Sequence, residues 1–300
     1  MPVISDYSDG TPSISYALWA VDGQELAGFR EDVRYYSAST IKLPVLVAVM
    51  RAVDAGDLSL EMPLLSRTTF SSGIPGAGEF GFEPDEVDPG MPAPGTETTL
   101  RHVLERMIVV SSNEATNIAV ELVGFDAVNA VLADLGAASS KMERLIGDMA
   151  ALEAGRTHEV TAADLVRILH AVVSGRAAGP AATAVMLQFL QAQEFGMIGP
   201  ALEAGGHRPV WGSKSGWVTG IAHDVAFLAP AGTAVTAPLR SGALLAVCTR
   251  GYEPAAAKEA IAAVSNLAWT LAGQLRTASA AASPRIPSPG RPDSTISEPV

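Results

Sequence analysis

The chain has 300 residues, of which 48% are hydrophobic and 17% charged, and its formal net charge is −12. A chain of this length and composition can bury a large core, either as one domain or as two interleaved lobes. Basic residues are too sparse to follow a phosphate backbone or an anionic membrane, so nucleic acid and membrane are not expected partners. Cys248 is the only cysteine, which excludes an intramolecular disulfide and a cysteine-based zinc site. It lies in an apolar run and is expected to be a buried thiol.

The first seven residues have neither a basic start nor a long apolar stretch, unlike a secretory signal. No apolar segment approaches the roughly 20 residues that span a bilayer. We therefore expect a soluble, cytoplasmic protein. A mis-assigned start codon is the alternative, because it would hide a leader.

The N-terminal part of the chain predicts a β-hairpin followed by a buried helix. Residues 13–21 are strand-like, Asp22-Gly23 is a good hairpin turn, and a second strand is expected through about Arg30. From residue 39 to about residue 53 the pattern is helical and apolar nearly all round, which predicts a helix buried in the core.

The middle of the chain begins with a long loop and continues with helices. Residues 66–98 are rich in Gly, Pro and acidic side chains, which predicts an irregular loop of the kind that often belongs to a site. A solvated acidic loop is a better interpretation of its carboxylates than a set of metal ligands. Helices are predicted at about 99–109, 113–123, 126–135, 161–174 and 180–193.

Strand patterns return at 222–229 and 242–249, and a long helix is predicted over about 254–275. The order of strands, helices, strands and a closing helix favours an α+β fold. We expect one antiparallel sheet built from both chain ends, about 12–38 and 205–276, with a helical lobe over about 39–204 inserted between them. Residues 277–300 are Ser, Pro and Ala without periodicity and are predicted to be a disordered tail after the single domain 1–276.

Ser39 and Lys42 form the first chemical motif, Ser39-x-x-Lys42, where the chain turns from loop into the apolar helix. On a helix this spacing places the hydroxyl and the amine on one face, about a turn apart. An amine there can take the hydroxyl's proton, and the helix N-terminus offers N–H groups to a developing oxyanion. Taken alone, the pair is a weak signal.

Two further motifs follow in the chain, Ser111-Ser112-Asn113 between two helices and Lys214-Ser215-Gly216 before a strand. Each is weak by itself, since the first is also a good helix cap and the second a simple turn. The three motifs together, in this order, are specific.

The chain resembles the class A β-lactamase family and its penicillin-binding relatives over about residues 12–275. The three motifs resemble the family's nucleophile, Ser-Asp-Asn and Lys-Thr-Gly motifs. The sequences around the motifs, in residues 36–44, 107–113 and 217–224, also resemble those of the family. Ser112 stands where the family has Asp, which implies a slightly looser loop. The resemblance implies the α/β sandwich of the β-lactamase and DD-peptidase type.

The resemblance also implies four catalytic residues. Ser39 would be the nucleophile, and Lys42 its activating base or a partner that holds the base in place. Ser111 would pass a proton to the leaving nitrogen or oxygen. Lys214 would add positive potential that favours anionic substrates and lowers the pKa of its neighbours.

The substrate-binding residues that the resemblance implies are Asn113, Ser215, Gly216 and Trp217. Asn113 would hold the acyl side-chain amide of the substrate, and Ser215 would bind a carboxylate. The backbone N–H groups of Ser39 and Trp217 would form the oxyanion hole.

The pattern breaks where the family carries the Glu that activates the deacylating water. In the best-matching segment, residues 142–150, Ile146 takes the place of that Glu and Ala150 that of its Asn partner, while Glu143 and Arg144 match the loop's Asp-Arg ion pair. An isoleucine cannot move a proton, so β-lactam turnover is expected to be weak.

Several residues near this break are alternative candidates. Asp148 could substitute for the missing Glu if the loop shifted by two residues, and Glu153 and Glu159 are remoter candidates; surface charge is the favoured interpretation of all three. The family's Arg for the substrate carboxylate has no clear match. His223 could be catalytic there, but a structural histidine beside Asp224 is favoured.

The leading hypothesis is a serine hydrolase that forms an acyl-enzyme on Ser39 with an anionic β-lactam, ester or amide. One alternative is an esterase or transacylase of secondary metabolism, because a cytoplasmic protein does not meet cell-wall peptide. Others are a β-lactam sensor that stays acylated, or an inactive scaffold. No metal or organic cofactor is expected, and the protein is expected to be a monomer.

Overall fold

The structure, a computed structural model, describes residues 3–282 and the side chains through residue 274. Its strands, β1 to β14, are Ile4–Ser5, Ser8–Asp9, Ser13–Ala20, Glu25–Phe29, Tyr35–Tyr36, Pro63–Leu65, Thr69–Ser71, Glu79–Gly81, Glu97–Thr99, Lys141–Met142, His158–Val160, Val210–Val218, Ile221–Ala229 and Ala243–Arg250. Its α-helices, α1 to α8, are Lys42–Ala55, Leu100–Val109, Asn113–Asp134, Met149–Glu153, Ala162–Val173, Pro180–Gln191, Ile198–Ala204 and Pro254–Ala282.

The main sheet has five antiparallel strands in the order β12-β13-β14-β3-β4. Its strands therefore come from both chain ends, with the helices α1 to α7 between them in sequence. The predicted α+β fold is confirmed. The predicted hairpin is confirmed as well, because β3 and β4 pair across a turn in which Gly23 takes a φ of 95°.

Two hydrophobic cores lie on opposite faces of this sheet. Successive side chains of a strand point to opposite faces, so Val225 and Phe227 pack toward α1, α2 and α5, whereas Ala226 and Leu228 pack toward α8. Cys248 is fully buried in the first core, as expected for a structural thiol. The sheet thus forms the middle layer of a three-layer molecule.

The helix α1 runs through the centre of the larger core. Its residues from Lys42 to Met50 are all buried, in agreement with its apolar sequence. A short 3-10 helix, Ala38–Ile41, leads into it and carries Ser39. The nucleophile candidate is therefore placed by one of the most rigidly packed elements of the fold.

The helix α3 merges the two predicted helices, which meet at a break where Gly124 has φ 77° and ψ 160°. By length and composition α3 could cross a membrane, with a mean hydropathy of 1.3, so the expectation that no apolar segment is long enough is wrong here. Half of that window is buried inside the protein, where α3 packs against α1 and α2. This burial is typical of the core helix of a globular domain.

Some elements differ from the sequence-based expectations. Residues 210–218 form a strand, β12, so Lys214-Ser215-Gly216 lies inside a strand and not in a turn. The short helix α7 was not expected, and it packs against α8 because Ile198 and Leu202 belong to the second core. The last helix continues to Ala282, past the start of the predicted tail, and residues 283–300 lie outside the described residues.

Candidate active site

Ser39 lies where three elements meet: the 3-10 helix that carries it, the loop before α3, and the edge strand β12. The preceding residue, Ala38, has a φ of 45°, a left-handed conformation that is uncommon for a residue with a side chain. Ser39 is partly accessible. Within the described residues its hydroxyl makes no hydrogen bond, which leaves the oxygen available to a substrate.

Lys42 is fully buried one turn after Ser39. Its Nζ donates to the Ser111 carbonyl oxygen (2.5 Å), to Ser111 Oγ (3.2 Å) and to Asn113 Oδ1 (2.8 Å). Burial holds the pKa of Lys42 well below its usual value, and the nearby Lys214 lowers it further, while Glu114 acts in the opposite direction. The lowered pKa favours the neutral amine that proton abstraction requires; in that form Nζ can donate only two of these three bonds, and its lone pair can accept a proton.

Ser111 connects the two lysines of the site. Its Oγ lies 3.2 Å from Lys42 Nζ and 3.1 Å from Lys214 Nζ. When both amines donate to this oxygen, the hydroxyl hydrogen of Ser111 is free to point at a substrate atom; when Lys42 is neutral, the same hydrogen can be donated to its Nζ. The backbone of Ser111 has a φ of 63°, a strained conformation that costs about 1–3 kcal/mol and that turns its carbonyl toward Lys42.

Lys214 is fully buried on β12 and also donates to the carbonyl of Ser215, at 2.7 Å. Burial lowers its pKa to about 7, against the attraction of Asp224, which raises it. Lys214 therefore gives the site a positive charge that is present below about pH 7 and lost above it.

Gly216 lets β12 approach the nucleophile. A Cβ atom at this position would lie 2.5 Å from the Ser39 nitrogen and 2.8 Å from the Thr40 nitrogen, so no side chain fits. Trp217 follows with 49% of its surface exposed at the rim. Ser215 is fully buried, and its hydroxyl has no partner among the described residues, so the predicted carboxylate ligand is covered in this conformation.

The Ser112 hydroxyl caps α3 by accepting the N–H of Ala115 at 3.1 Å. The neighbouring Glu114 was missed in the sequence. It is fully buried, its Oε1 accepts the N–H of Asp88 at 2.7 Å, and its Oε2 has no partner among the described residues. A carboxylate at the start of an otherwise apolar helix, next to Asn113, was the available signal.

Ile146 is held beside this network by Asn117. The Asn117 amide donates to the carbonyl of Ile146 at 2.9 Å and accepts its N–H at 2.8 Å. Asn117 comes four residues after Asn113 on α3, so the two amides lie on the same helix face. The partly buried Ile146 side chain packs against the main core, and it offers no group that can carry a proton.

Asp148, an alternative candidate for the missing base, is buried, so the favoured interpretation of it as surface charge is wrong. It has a structural role in the same loop. Its carboxylate accepts hydrogen bonds from the Ser72 hydroxyl (2.8 Å) and from the N–H groups of Gly73 (2.9 Å) and Ala151 (3.0 Å). These bonds fasten the loop to the segment that follows β7. A carboxylate used in this way is not free to activate water.

The predicted pairing of Glu143 with Arg144 is not formed. Glu143 pairs with Lys141 at 3.0 Å. The buried Arg144 donates to the hydroxyls of Tyr36 (3.0 Å) and Tyr7 (3.3 Å). Adjacent side chains in an extended segment point to opposite sides, which separates the two charges.

The remoter base candidates, Glu153 and Glu159, make contacts at the protein surface. Glu159 pairs with Arg34 and Lys141 at 3.8 and 3.7 Å, and Glu153 is exposed at the end of α4. Surface charge is the interpretation that these contacts support.

His223 is a buried structural histidine. Its Nε2 lies 2.9 Å from the carbonyl oxygen of Tyr36, and its Nδ1 lies 2.7 Å from the carbonyl oxygen of Ala222 and 3.1 Å from the backbone nitrogen of Thr249. Burial lowers its pKa to about 4. Asp224 points to the other face of the sheet and accepts the N–H groups of Met197 (2.7 Å) and Ile198 (2.9 Å).

The donors of a metal site are not clustered. Within residues 3–274, no group of three His, Cys, Asp or Glu side chains is arranged to hold a metal ion.

Solved structures share this arrangement of sheet and helices. A β-lactamase from Sphaerobacter thermophilus is 29% identical, with a TM-score of 0.70, over 88% of this chain and 92% of that one. The protein PBP-A is 21% identical, with a TM-score of 0.70, over 88% of this chain and 91% of that one. A β-lactamase from Xanthomonas campestris is 21% identical, with a TM-score of 0.69, over 88% and 92%.

A comparison with curated protein sequences gave no match. The profile of the "Beta-lactamase enzyme family", in contrast, matches residues 2–272. That match covers most of the chain, and the solved structures reproduce the fold. The chain belongs to the β-lactamase enzyme family of serine hydrolases.

Proposed function

We propose that this protein is a serine hydrolase that is acylated on Ser39 by a β-lactam, an ester or an amide and that releases the acyl group slowly. The observation that carries the proposal is the position of Ser111 Oγ between Lys42 and Lys214, at 3.2 and 3.1 Å. This arrangement can move a proton from the nucleophile side of the site to the leaving-group side.

In the proposed acylation, neutral Lys42 takes the proton of Ser39, and Oγ of Ser39 bonds to the carbonyl carbon of the substrate. The N–H groups of Ser39 and Trp217 receive the developing oxyanion, which the close approach of β12 at Gly216 makes geometrically reasonable. The bond to the leaving nitrogen or oxygen then breaks. The proton passes from Lys42 through Ser111 to that atom.

Slow release follows from the loop that carries Ile146. Its main chain is fixed to Asn117, close to Asn113 and Lys42, yet its side chain cannot activate a water. General-base assistance is worth about 10²–10⁴-fold, so its loss favours a long-lived acyl-enzyme. A mutant of PBP-A, which is 21% identical to this chain, has been solved as an acyl-enzyme complex with penicillin G. That relative supports a penicillin as the first probe.

The substrate is proposed to be anionic and small. Lys214 is buried at the site, and its charged form attracts an anion. A relative, L2, is described as complexed with relebactam. Proposed substrates therefore include β-lactams and also simple anionic esters. An ester can acylate Ser39 without the strain of a β-lactam ring.

Intact-mass spectrometry after incubation with penicillin G tests the proposal. Because the ring opens without losing an atom, the expected adduct has the full mass of the drug, and it should be absent in Ser39→Ala. Ser59→Ala, which alters an exposed serine, is the matched control and should still form the adduct. If neither an adduct nor loss of the drug is seen, and simple esters also leave Ser39 unmodified, the proposal is wrong.

A further inference from the structure

A ring of hydrogen bonds joins the loop that carries Ser111 to the long segment between α1 and α2. The Ser112 N–H donates to the carbonyl oxygen of Arg106 at 3.1 Å. The Arg106 guanidinium donates to both carboxylate oxygens of Asp88, from Nε at 2.7 Å and also from a terminal nitrogen. The Asp88 N–H donates to Glu114 Oε1 at 2.7 Å. Because Glu114 follows Ser112 by two residues, these contacts form a closed circuit, the Glu114 ring.

The Glu114 ring is largely removed from solvent. Glu114 is fully buried, and the side chains of Asp88 and Arg106 are 6% and 23% exposed. Gly90 makes the close contact possible, because a Cβ atom there would lie 2.2 Å from Cζ of Arg106. The Gly90 N–H also donates to Asp88 Oδ1 at 2.9 Å. A guanidinium that donates twice to a carboxylate has a well-defined geometry, so the ring fixes its members relative to one another.

Ser111 needs such support, because its φ of 63° is strained and a strained residue persists only when its surroundings over-determine it. Its carbonyl and hydroxyl oxygens form hydrogen bonds with Lys42 and Lys214. On its C-terminal side, the chain is fixed by the ring through Ser112 and Glu114. Since Ser112 has no carboxylate to brace this loop, Glu114 supplies one two residues later.

We propose that Glu114 is a positioning residue, which acts through Asp88 and Arg106 to hold Ser111 Oγ where it can protonate the leaving atom of the substrate. This inference rests on the proposed acylation of Ser39. In that step, Ser39 Oγ bonds to the acyl carbon and the bond from that carbon to the leaving atom breaks. The Ser39 proton reaches the leaving atom by way of Lys42 and Ser111. A displaced Ser111 leaves the attack by Ser39 intact and slows the protonation.

Two acetyl esters separate this role from a general loss of structure, because both give the same acetyl-enzyme on Ser39. Ethyl acetate releases a basic alkoxide that needs a proton, whereas para-nitrophenyl acetate releases a stabilised phenolate that leaves without one. In Glu114→Ala, acetylation by ethyl acetate should slow by about 10²-fold, the typical cost of a 1 Å misplacement. Acetylation by para-nitrophenyl acetate should change little. Timed mass spectra of the adduct measure both rates.

The conservative variant Glu114→Gln keeps a side-chain oxygen that can accept the Asp88 N–H, so it should restore the wild-type ratio of the two rates. Burial and then Lys214 lower the pKa of Lys42, and the charge of Glu114 acts against them. Both variants lose this charge. Its loss affects the two esters alike, because both are attacked by Ser39, so the ratio of the rates reports on Ser111.

A second variant and a control locate the effect in the ring. Arg106→Gln opens the ring at a side chain that is 23% exposed, and it should lower the same ratio by about tenfold even if Glu114→Ala does not fold. Glu121→Ala is the matched control. Glu121 lies about two turns further along α3 and pairs with Arg67 of the same long segment, but it is not part of the ring. Its loss should leave the ratio unchanged.

The outcomes separate the two proposals. Equal slowing of both esters, no slowing of either, or the same change of the ratio in Glu121→Ala overturns the positioning role and leaves the acylation of Ser39 standing. A Glu114→Gln variant that reacts like Glu114→Ala overturns it as well. If penicillin G alone acylates the wild type, an unchanged rate in Arg106→Gln overturns the role, because the leaving nitrogen also needs a proton; a slower rate there, with the wild-type rate in Glu114→Gln, supports it. No adduct from any of the three compounds overturns both proposals.

Discussion

The two sides of Ser39 differ in what they can do with a proton. On one side, Lys42, Ser111 and Lys214 form a continuous buried chain of hydrogen bonds. On the other side, the loop with Ile146 is anchored through its main chain and through Asp148, and it presents an apolar side chain. The first side has the groups for forming an acyl-enzyme, and the second has no base for clearing it. In the proposed mechanism, acylation and deacylation therefore depend on different residues, which can be changed separately.

The largest expected effect comes from removing the base on the first side. In Lys42→Ala, no amine is left to take the Ser39 proton, so the rate of acylation by penicillin G should fall by about 10²–10⁴-fold. Stopped flow or timed mass spectra measure this rate. Lys141→Ala removes an exposed amine and should leave it unchanged. An acylation rate that survives Lys42→Ala would show that another group activates Ser39.

A substitution of Asp148 should affect only the side of Ser39 on which the Ile146 loop lies. Asp148→Ala leaves the Ser72 hydroxyl and the N–H groups of Gly73 and Ala151 without their acceptor. We expect the free energy of unfolding in urea to fall by about 1–3 kcal/mol. The acylation rate of the folded protein should stay the same. Asp126→Ala, at an exposed position of α3, should change stability by less than about 0.5 kcal/mol.

If Asp148 were instead the base that clears the acyl group, its alanine variant would show a longer adduct lifetime with little loss of stability. That result would mean that both sides of Ser39 carry a group that can move a proton.

The smallest expected effect is a pH dependence of substrate binding. The pKa of Lys214 is about 7, so its charge is present below that pH and is lost above it. For an anionic penicillin, KM should rise above pH 7 by roughly fivefold, since a unit charge near the anion is worth about 1 kcal/mol even when screened as in water. Uncharged para-nitrophenyl acetate should show no such rise. Parallel profiles for both substrates would contradict a role for Lys214 in attracting anions.

Much of the fold was predictable because each main element has a strong local pattern. Local sequence patterns predict the conformation of several elements: the apolar run of α1, the Asp22-Gly23 turn, and the apolar runs of β13 and β14. The strand β12 was not predicted, because Gly212, Ser213 and Lys214 have low strand propensity and only pairing with β13 makes the segment extended. Strand propensity therefore fails to predict the strand that carries Lys214.

The motif residues of the site could be predicted from the sequence, but the packing around them could not. The resemblance of the three motifs to a known family was enough to select Ser39, Lys42, Ser111 and Lys214 as candidates, and the structure brings the last three into contact. Nothing in the sequence shows that Ser215 is covered, or that Phe195 lies within reach of Trp217, because both depend on packing between segments distant in the chain.

The lifetime of the penicillin adduct in the wild type and in Ile146→Glu tests the central claim most directly. The variant places a carboxylate where the loop is held by Asn117, and Ile146→Gln is the control that adds a polar group without a base. The account predicts a long-lived wild-type adduct, the same lifetime in Ile146→Gln, and a lifetime shorter by at least about 10²-fold in Ile146→Glu. A wild-type adduct that clears as fast as that of Ile146→Glu would show that deacylation does not need a base at this position, and would contradict the account.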